Sequence, residues 1–210
     1  MKINGYLYLM FCFIAMTLKS CLPLSATPLI EIPNIAPPTA PVTFPEILGV
    51  LKNGSAEGRI STASKVLTLS EKEKELAVPY LINNLDYKEN SDVRRTAAIV
   101  LGEIGPKANQ SVDRLVSLLN NDDATIVKIA AAEALGKIGD QSVVPNLVNY
   151  LNSSDLELAI VSAKSIALLT GQSFTDLDSQ NGYSLDSAGE PYIVIDAKRW
   201  WEDEGKYQDW

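Results

Sequence analysis

Residues 93–105 read VRRTAAIVLGEIG, and residues 127–139 read VKIAAAEALGKIG. The segments lie 34 positions apart and share their first valine, two alanines and a Leu-Gly-x-Ile-Gly ending. The apolar residues at helical intervals are Val93, Ala97, Leu101, Ile104, Val127, Ala131, Leu135 and Ile138. They predict one buried stripe on each of two helices. A repeat of this length indicates a solenoid, because each unit is too small to bury its own apolar face alone.

A shorter apolar phrase precedes each unit of the repeat. The four phrases are PEILGVL at 45–51, PYLINNL at 79–85, DRLVSLL at 113–119 and PNLVNYL at 145–151, at spacings of 34, 34 and 32. Three of them open on proline, which is tolerated in the first turn of a helix because its missing N–H costs little there. We therefore predict four helix pairs, in which Pro45, Pro79 and Pro145 lie near the start of their helices.

The second helices of the outer units are less regular. They read RISTASKVLTL at 59–69 and LELAIVSAKSIALLTG at 156–171. In the central units, Gly105 and Gly139 are predicted to adopt the left-handed conformation that often follows a helix.

The Pro-x-Leu helix and the Val-Arg/Lys-x-x-Ala-Ala-x-x-Leu-Gly-x-Ile-Gly helix together resemble HEAT repeats, in particular the bacterial HEAT-like repeats of phycobilisome lyases. The resemblance is weaker in unit one, where Arg59 replaces the stripe valine and Thr68 the glycine, and in unit four, which lacks the Leu-Gly step. It implies an all-α fold, a right-handed α-solenoid of about four HEAT-like helix pairs with a C-terminal cap. The domains expected are a signal peptide at 1–20 (or 1–26), a Pro-rich linker at 21–43, repeats at 44–172 (44–75, 76–108, 109–140 and 141–172) and a cap with a short helix at 173–210.

The last repeat helix needs a cover, because it is apolar nearly all round. The segment after it resembles the closing segment of many bacterial HEAT-like proteins. The apolar residues expected to form the cover are Phe174, Tyr192, Ile193, Val194, Ile195, Trp200 and Trp201. Asp196 is predicted to cap the N-terminus of a helix AKRWWEDE. We favour a core role for Trp200 and Trp201 over exposed stacking on a sugar or an interface.

The N-terminus predicts export. Lys2 precedes a 13-residue apolar run at 6–18, which is too short to span a bilayer but suits a signal peptide. The following Leu18-Lys19-Ser20-Cys21 resembles a bacterial lipobox, although Lys19 stands where a small residue is usual. The resemblance implies a lipoprotein with lipid attached at Cys21; ordinary cleavage after Ala26 and an uncleaved anchor are the alternatives. Seven of the eleven prolines then lie between Pro23 and Pro45, which favours an extended spacer or a disordered leader.

The composition excludes several function classes. Histidine is absent, which removes the commonest general base and metal ligand, and both cysteines lie within the first 21 residues. Without residues 1–20, 16 basic and 26 acidic residues leave a net charge of −10, which argues against a nucleic-acid-binding surface. The acidic segment 176–186 is not an EF-hand loop, because Gly182 is seventh rather than sixth. We predict no catalytic residues, no metal site and no cofactor.

The candidate partner-binding residues are cations near the start of the second helices: Arg59, Arg94, Arg95 and Lys128. In HEAT-like solenoids these helices line the concave face, where a row of cations inside an acidic protein would attract an acidic partner. The reading we favour instead pairs them with Asp92, Asp122 and Asp123 between repeats.

We therefore expect a monomeric, non-enzymatic interaction or scaffold module of the bacterial cell envelope that binds an unidentified protein or peptide. It would bind no nucleic acid and would reach a membrane only through its N-terminal lipid. The alternative is a phycobilin-lyase-like or other HEAT-like enzyme or chromophore-binding protein.

Overall fold

The computed structural model describes residues 43–174 and 185–210. The predictions for the signal peptide, for Cys21 and for the Pro-rich linker up to residue 42 lie outside these ranges, as does most of the acidic segment 176–186. Within the described residues the chain is helical apart from turns, and one isolated bridge pairs Leu185 with Pro191. None of the described helices combines the length and the apolar character that crossing a membrane requires.

Four helix pairs follow one another, and a further helix closes the chain. The pairs are α1 (Phe44–Asn53) with α2 (Ala56–Val66), α3 (Glu71–Leu85) with α4 (Ser91–Ile104), α5 (Val112–Asn121) with α6 (Thr125–Ile138), and α7 (Val144–Val148) with α8 (Leu156–Thr170). The further helix is α9 (Tyr192–Asp203). Short 3₁₀ turns span Gly105–Ser111, Gln141–Val143 and Gly205–Tyr207. The predicted all-α solenoid of four helix pairs with a C-terminal cap is therefore confirmed.

The predicted stripes are buried. Every stripe residue of α4 and α6 is at most 9% exposed, and Leu101, Val127, Ala131 and Leu135 are fully buried. Gly139 follows α6 with φ 89° and ψ 15°, in the predicted left-handed conformation, whereas Gly105 follows α4 with φ 70° and ψ −141°, outside it. The periodic apolar positions thus form the continuous core that the repeat requires.

The second helices form the more tightly packed of two layers, since neighbouring second helices contact each other far more than neighbouring first helices do. Small residues permit this approach. A Cβ atom on Gly102 would lie 2.8 Å from Cα of Ala134, and one on Gly136 would lie 2.7 Å from Cβ of Ser165. The second helices are thus the layer in which neighbouring repeats approach each other most closely.

The prediction that Pro79 lies near the start of its helix is wrong. Helix α3 begins eight residues earlier, at Glu71, and contains Pro79 in its interior. A capping box explains the early start: the Ser70 hydroxyl accepts from the Glu73 N–H at 3.4 Å, and the Glu73 carboxylate accepts from the Ser70 N–H at 3.1 Å. Pro79 and Glu75, whose carbonyl loses its helical donor, are both exposed, so water can solvate that carbonyl.

The cap packs on α8 through α9. Ile193, Val194 and Ala197 are buried, and Phe174, Trp200 and Trp201 pack against the core. The Trp210 ring joins them, 6.1 Å from Trp200 between centroids, and its indole N–H donates to the Gly205 carbonyl at 2.9 Å. The core role favoured for the paired tryptophans agrees with this packing.

Two details of the predicted cap differ. Tyr192 is 40% exposed at the start of α9 and does not cover the core. Asp196 lies inside α9 and accepts from Arg199 at 3.3 Å, so it is not the N-cap. The helix starts earlier because Asp186 accepts from the N–H groups of Ala188 and Glu190, both at 2.8 Å, in a turn that leads directly into Pro191.

The far side of α8 stays open to solvent. Leu168, two residues before the helix ends, is 65% exposed, although Ile166, two residues earlier, is fully buried. Gly171 then ends the helix with a φ angle of 70°.

Candidate functional site

Arg59 joins the first repeat to the second. Its guanidinium donates to carbonyls at the end of α1, at 2.8 Å to Gly54 and 2.6 Å to Lys52, and also to the carbonyl of Leu51. It reaches the side-chain oxygen of Asn84 in α3 as well. The Arg59 side chain thus satisfies backbone groups that a helix end leaves without partners.

Arg94 has the corresponding role in the second repeat. Its Nε and Nη2 atoms donate to the two carboxylate oxygens of Asp122 at 2.6 and 2.9 Å, a bidentate pair. Its third nitrogen donates to the Tyr87 carbonyl just after α3, at 2.9 Å. The side chains of Arg94 and Asp122 are only 13% and 3% exposed. Arg94 therefore pairs with an acid of the next repeat, as the favoured prediction has it.

The charges of this pair stabilise each other. Burial alone would raise the pKa of Asp122, but the hydrogen bonds from Arg94 and from the Ala124 N–H outweigh it, so the pKa lies below its ordinary value. The hydrogen bonds that Arg94 donates to Asp122 in turn raise the pKa of Arg94. Lys128 is half-buried, and its charge also helps to lower the pKa of Asp122.

Arg95 is arranged differently. It is exposed and makes no hydrogen bond or ion pair with any other residue in 43–174 or 185–210. The structure therefore does not bring the four candidate cations into one site: Arg59 and Arg94 bond across junctions between repeats, Lys128 acts by its charge on Asp122 of its own repeat, and Arg95 is exposed on the second-helix layer.

Arg95 borders a groove that we call the inner groove, about 260 Å³ in volume and formed by α4, α6 and α8. Its lining is Arg95, Ile99, Ile126, Ile129, Ala130, Glu133 and Glu157. Ile126 is 46% exposed, and Ile99 and Ile129 beside it are half-buried. Glu133 is held by Lys137 at 2.6 Å, and Lys137 also binds Glu103 at 2.6 Å.

A second groove of about 570 Å³ lies where the first helices end. It is lined by Asp86, Lys88, Arg94, Arg114, Asp122 and Asp123 among others, so charges of both signs alternate around it. Arg114 pairs with Asp86 and Arg94 with Asp122. Its charged groups are thus largely engaged with one another.

The isoleucines of the inner groove were missed by sequence reasoning, which followed the buried stripe. A signal was present, because Ile126 and Ile129 fall beside the Val127–Ala131–Leu135 stripe rather than on it. In the described residues, no three Asp, Glu, Cys or His side chains are grouped as metal ligands would be.

Comparison with known proteins adds two findings. Residues 78–167 match the family model that describes HEAT repeats. Over 137 residues the chain is also 28% identical to the phycocyanobilin lyase subunit alpha of Nostoc sp. (strain PCC 7120), covering 60% of this chain and 49% of that protein. The chain thus spans about half the length of the curated relative that it matches. Residues 78–167 are therefore a HEAT-repeat region, and the pair α1 and α2 before them completes the all-α solenoid of four helix pairs.

Proposed function

We propose that this chain is a non-enzymatic binding module whose inner groove holds a protein or peptide partner. The observation that carries the proposal is that Arg95, which is exposed and has no hydrogen bond or ion pair to the described residues, lines the same groove as the exposed Ile126. Solenoids commonly use the concave layer of their repeats for extended partners. The lack of histidine in the whole sequence supports a binding role over acid–base or nucleophilic catalysis, although it does not exclude other chemistry.

Site-specific cross-linking tests the proposal. A photoreactive phenylalanine analogue replaces Ile126 in one variant and Leu76 in the control, since Leu76 is 52% exposed on the first-helix layer. In envelope extracts we expect a discrete cross-linked product from position 126 that is absent from position 76 and lost when Arg95→Glu is added. Equal products from both positions, or none from position 126, would contradict the proposal.

A second candidate function is chromophore binding or chromophore attachment. The observation in its favour is the similarity to a phycocyanobilin lyase subunit. The inner groove, at about 260 Å³, lies below the ~300–1,000 Å³ usual for pockets that enclose small molecules, whereas the charged groove at the ends of the first helices, at about 570 Å³, lies within that range. Mixing the purified chain with phycocyanobilin distinguishes the candidates: a shifted visible absorption band that co-elutes with the protein would favour this second function.

We also propose that the protein is exported and anchored by lipid at Cys21. The support is the apolar run at 6–18 followed by Leu18-Lys19-Ser20-Cys21. Cys21→Ser should move the protein from the membrane fraction to the soluble fraction and remove a lipid-sized mass increment. Cys12→Ser is the matched control and should change neither. Membrane retention of the Cys21→Ser protein, with no lipid mass in the wild type, would reject lipidation.

A further inference from the structure

Adjacent arginines at the start of α4 have opposite surroundings. Arg94 gives all its guanidinium nitrogens to Asp122 and to backbone carbonyls, and its side chain is 13% exposed. Arg95 is exposed and makes no such bond to the described residues. The repeat therefore accounts for Arg94 but gives no structural reason for a cation at position 95.

The apolar part of the inner groove beside Arg95 consists of Ile99, Ile126 and Ile129, and we call it the floor. The repeat does not require this floor either. Ile99 lies one turn after Arg95 on α4, and Ile126 and Ile129 face it from α6. At the corresponding positions 34 residues earlier, the chain has Asp92 and Arg95 in place of Ile126 and Ile129. Packing between units is thus possible with polar residues at these places, and the isoleucines form a local apolar surface.

The charges at the two ends of the floor have opposite signs. Arg95 lies at the α4 end, and Glu157 lies at the α8 end. Glu133 also borders the groove, but Lys137 holds it at 2.6 Å. A partner that complements these charges carries an acid over α4, an aliphatic side chain over α6 and a base over α8.

We infer that the inner groove binds an extended peptide segment with an acidic, an aliphatic and a basic side chain in that spatial order. The inference rests on the proposed function and specifies its partner. The carboxylate pairs with Arg95, the aliphatic group covers Ile126 and its neighbours, and the base faces Glu157. Packed helices lie about 8–10 Å apart and an extended chain advances about 3.3 Å per residue, so the anchors are about two or three residues apart.

A synthetic peptide tests this directly. The probe is a fluorescein-labelled peptide that presents Asp, Leu and Lys at this spacing, and fluorescence anisotropy measures its binding to the whole chain. Replacing the probe's Asp by Asn, or its Leu by Ser, should weaken binding. Arg95→Met should weaken it about 1.5- to fivefold, which corresponds to the ~0.2–1 kcal/mol of one exposed ion pair.

Controls separate a specific pair from general charge attraction. Lys72→Met removes an exposed cation from α3, on the other layer, and should leave binding unchanged. Arg95→Glu should abolish binding of the probe with Asp and strengthen binding of a probe that has Lys in place of this Asp. Equal weakening by Lys72→Met, equal binding of the Asn probe, or no rescue by the swapped charge would overturn the inference.

The result remains distinct from the proposed function. If no probe binds while cross-linking at position 126 still captures a partner that depends on Arg95, the peptide chemistry is overturned and the binding module stands. If cross-linking also fails, both proposals fall.

Discussion

At the scale of single residues, the direction in which a side chain leaves its helix decides what it does. Arg94 and Arg95 are neighbours in sequence but point about 100° apart around α4. One direction leads to the end of α3 and to Asp122, and the other leads to solvent over the inner groove. Arg94 thus holds two repeats together, whereas Arg95 remains exposed beside the inner groove.

This division predicts unequal effects on stability. Arg94→Met should lower the free energy of unfolding by about 1.5–3 kcal/mol, because it removes charge-assisted hydrogen bonds and leaves the nearly buried Asp122 carboxylate with only the Ala124 N–H as a hydrogen-bond donor. Arg95→Met should change it by less than about 0.5 kcal/mol, as is usual for an exposed site. Urea unfolding followed by circular dichroism measures both, and similar losses from the two variants would show that the pairing is misassigned.

The same pair predicts a dependence on pH. The pKa of Asp122 is lower in the folded chain than in the unfolded chain, so its stabilisation is present above the unfolded pKa, near about 3.9, and is lost as the pH falls through the folded value. The difference in unfolding free energy between wild type and Asp122→Asn should therefore be largest near neutral pH and shrink below about pH 4.

Salt provides the control for that measurement. Lys74 and Lys107 hold the pKa of Glu71 at about 2, but this carboxylate is exposed. Any effect of Glu71→Gln should fade at high salt, whereas the effect of Asp122→Asn should largely persist, because exposed charges are screened more than buried ones. An Asp122→Asn effect that salt removes completely would contradict the burial of the pair.

At the scale of helices, the close approach within the second-helix layer depends on two glycines. Gly102 faces Ala134, and Gly136 faces Ser165, whose hydroxyl donates to the Ala132 carbonyl at 2.8 Å. Glycine within a helix normally costs stability relative to alanine. Here that local cost is offset by the packing that the missing Cβ permits.

Alanine at different glycines should therefore have effects of opposite sign. Gly102→Ala should destabilise the fold by about 1–3 kcal/mol, because its Cβ would meet the Ala134 backbone at 2.8 Å. Gly49→Ala, on the exposed side of α1 with no atom within 4 Å, should stabilise by about 0.5–1 kcal/mol. Thermal unfolding of the two variants gives the signs, and stabilisation by both would show that the helices are further apart.

The sequence predicts a feature of these helices well when that feature follows from the periodic spacing of apolar residues. It predicts a feature less well when that feature depends on local contacts or on how the helices pack. The stripe of Leu101 and Leu135 follows from spacing alone, and the structure buries both. The start of α3 depends on a competition between Pro79 and the Ser70–Glu73 capping box, which periodicity does not resolve. Predicting the inner groove would require knowing which residues of α4, α6 and α8 come together. That depends on how the helices pack, which periodicity alone does not give.

At the scale of the whole molecule, the cap closes one end of a linear stack. Each repeat contacts mainly its neighbours, so a terminal helix such as α8 has one apolar side that no further repeat covers. Helix α9 and its aromatic residues cover much of that side. All three tryptophans of the chain, Trp200, Trp201 and Trp210, lie in this cap, so tryptophan fluorescence reports on the cap alone.

Truncation after Gly171 should give an aggregating or dye-binding protein. Removal of the cap would leave apolar residues of α8 exposed, and such patches promote association. Binding of 8-anilinonaphthalene-1-sulfonate and light scattering measure the effect. Tyr207→Ser changes a cap residue that is 74% exposed and should leave the protein soluble and monomeric. A soluble, monomeric truncated chain would show that the cap is dispensable.

The exposed leucine near the end of α8 limits how long this array can grow. Leu168 stands three residues before Gly171, as Gly102 and Gly136 stand three residues before Gly105 and Gly139. A fifth unit arriving at α8 would meet an isobutyl group where earlier units found no side chain at all. Duplications inserted before this helix can therefore lengthen the stack, whereas one appended after it would first need Leu168→Gly. Leu168, together with the cap on α8, thus distinguishes this repeat from the three before it.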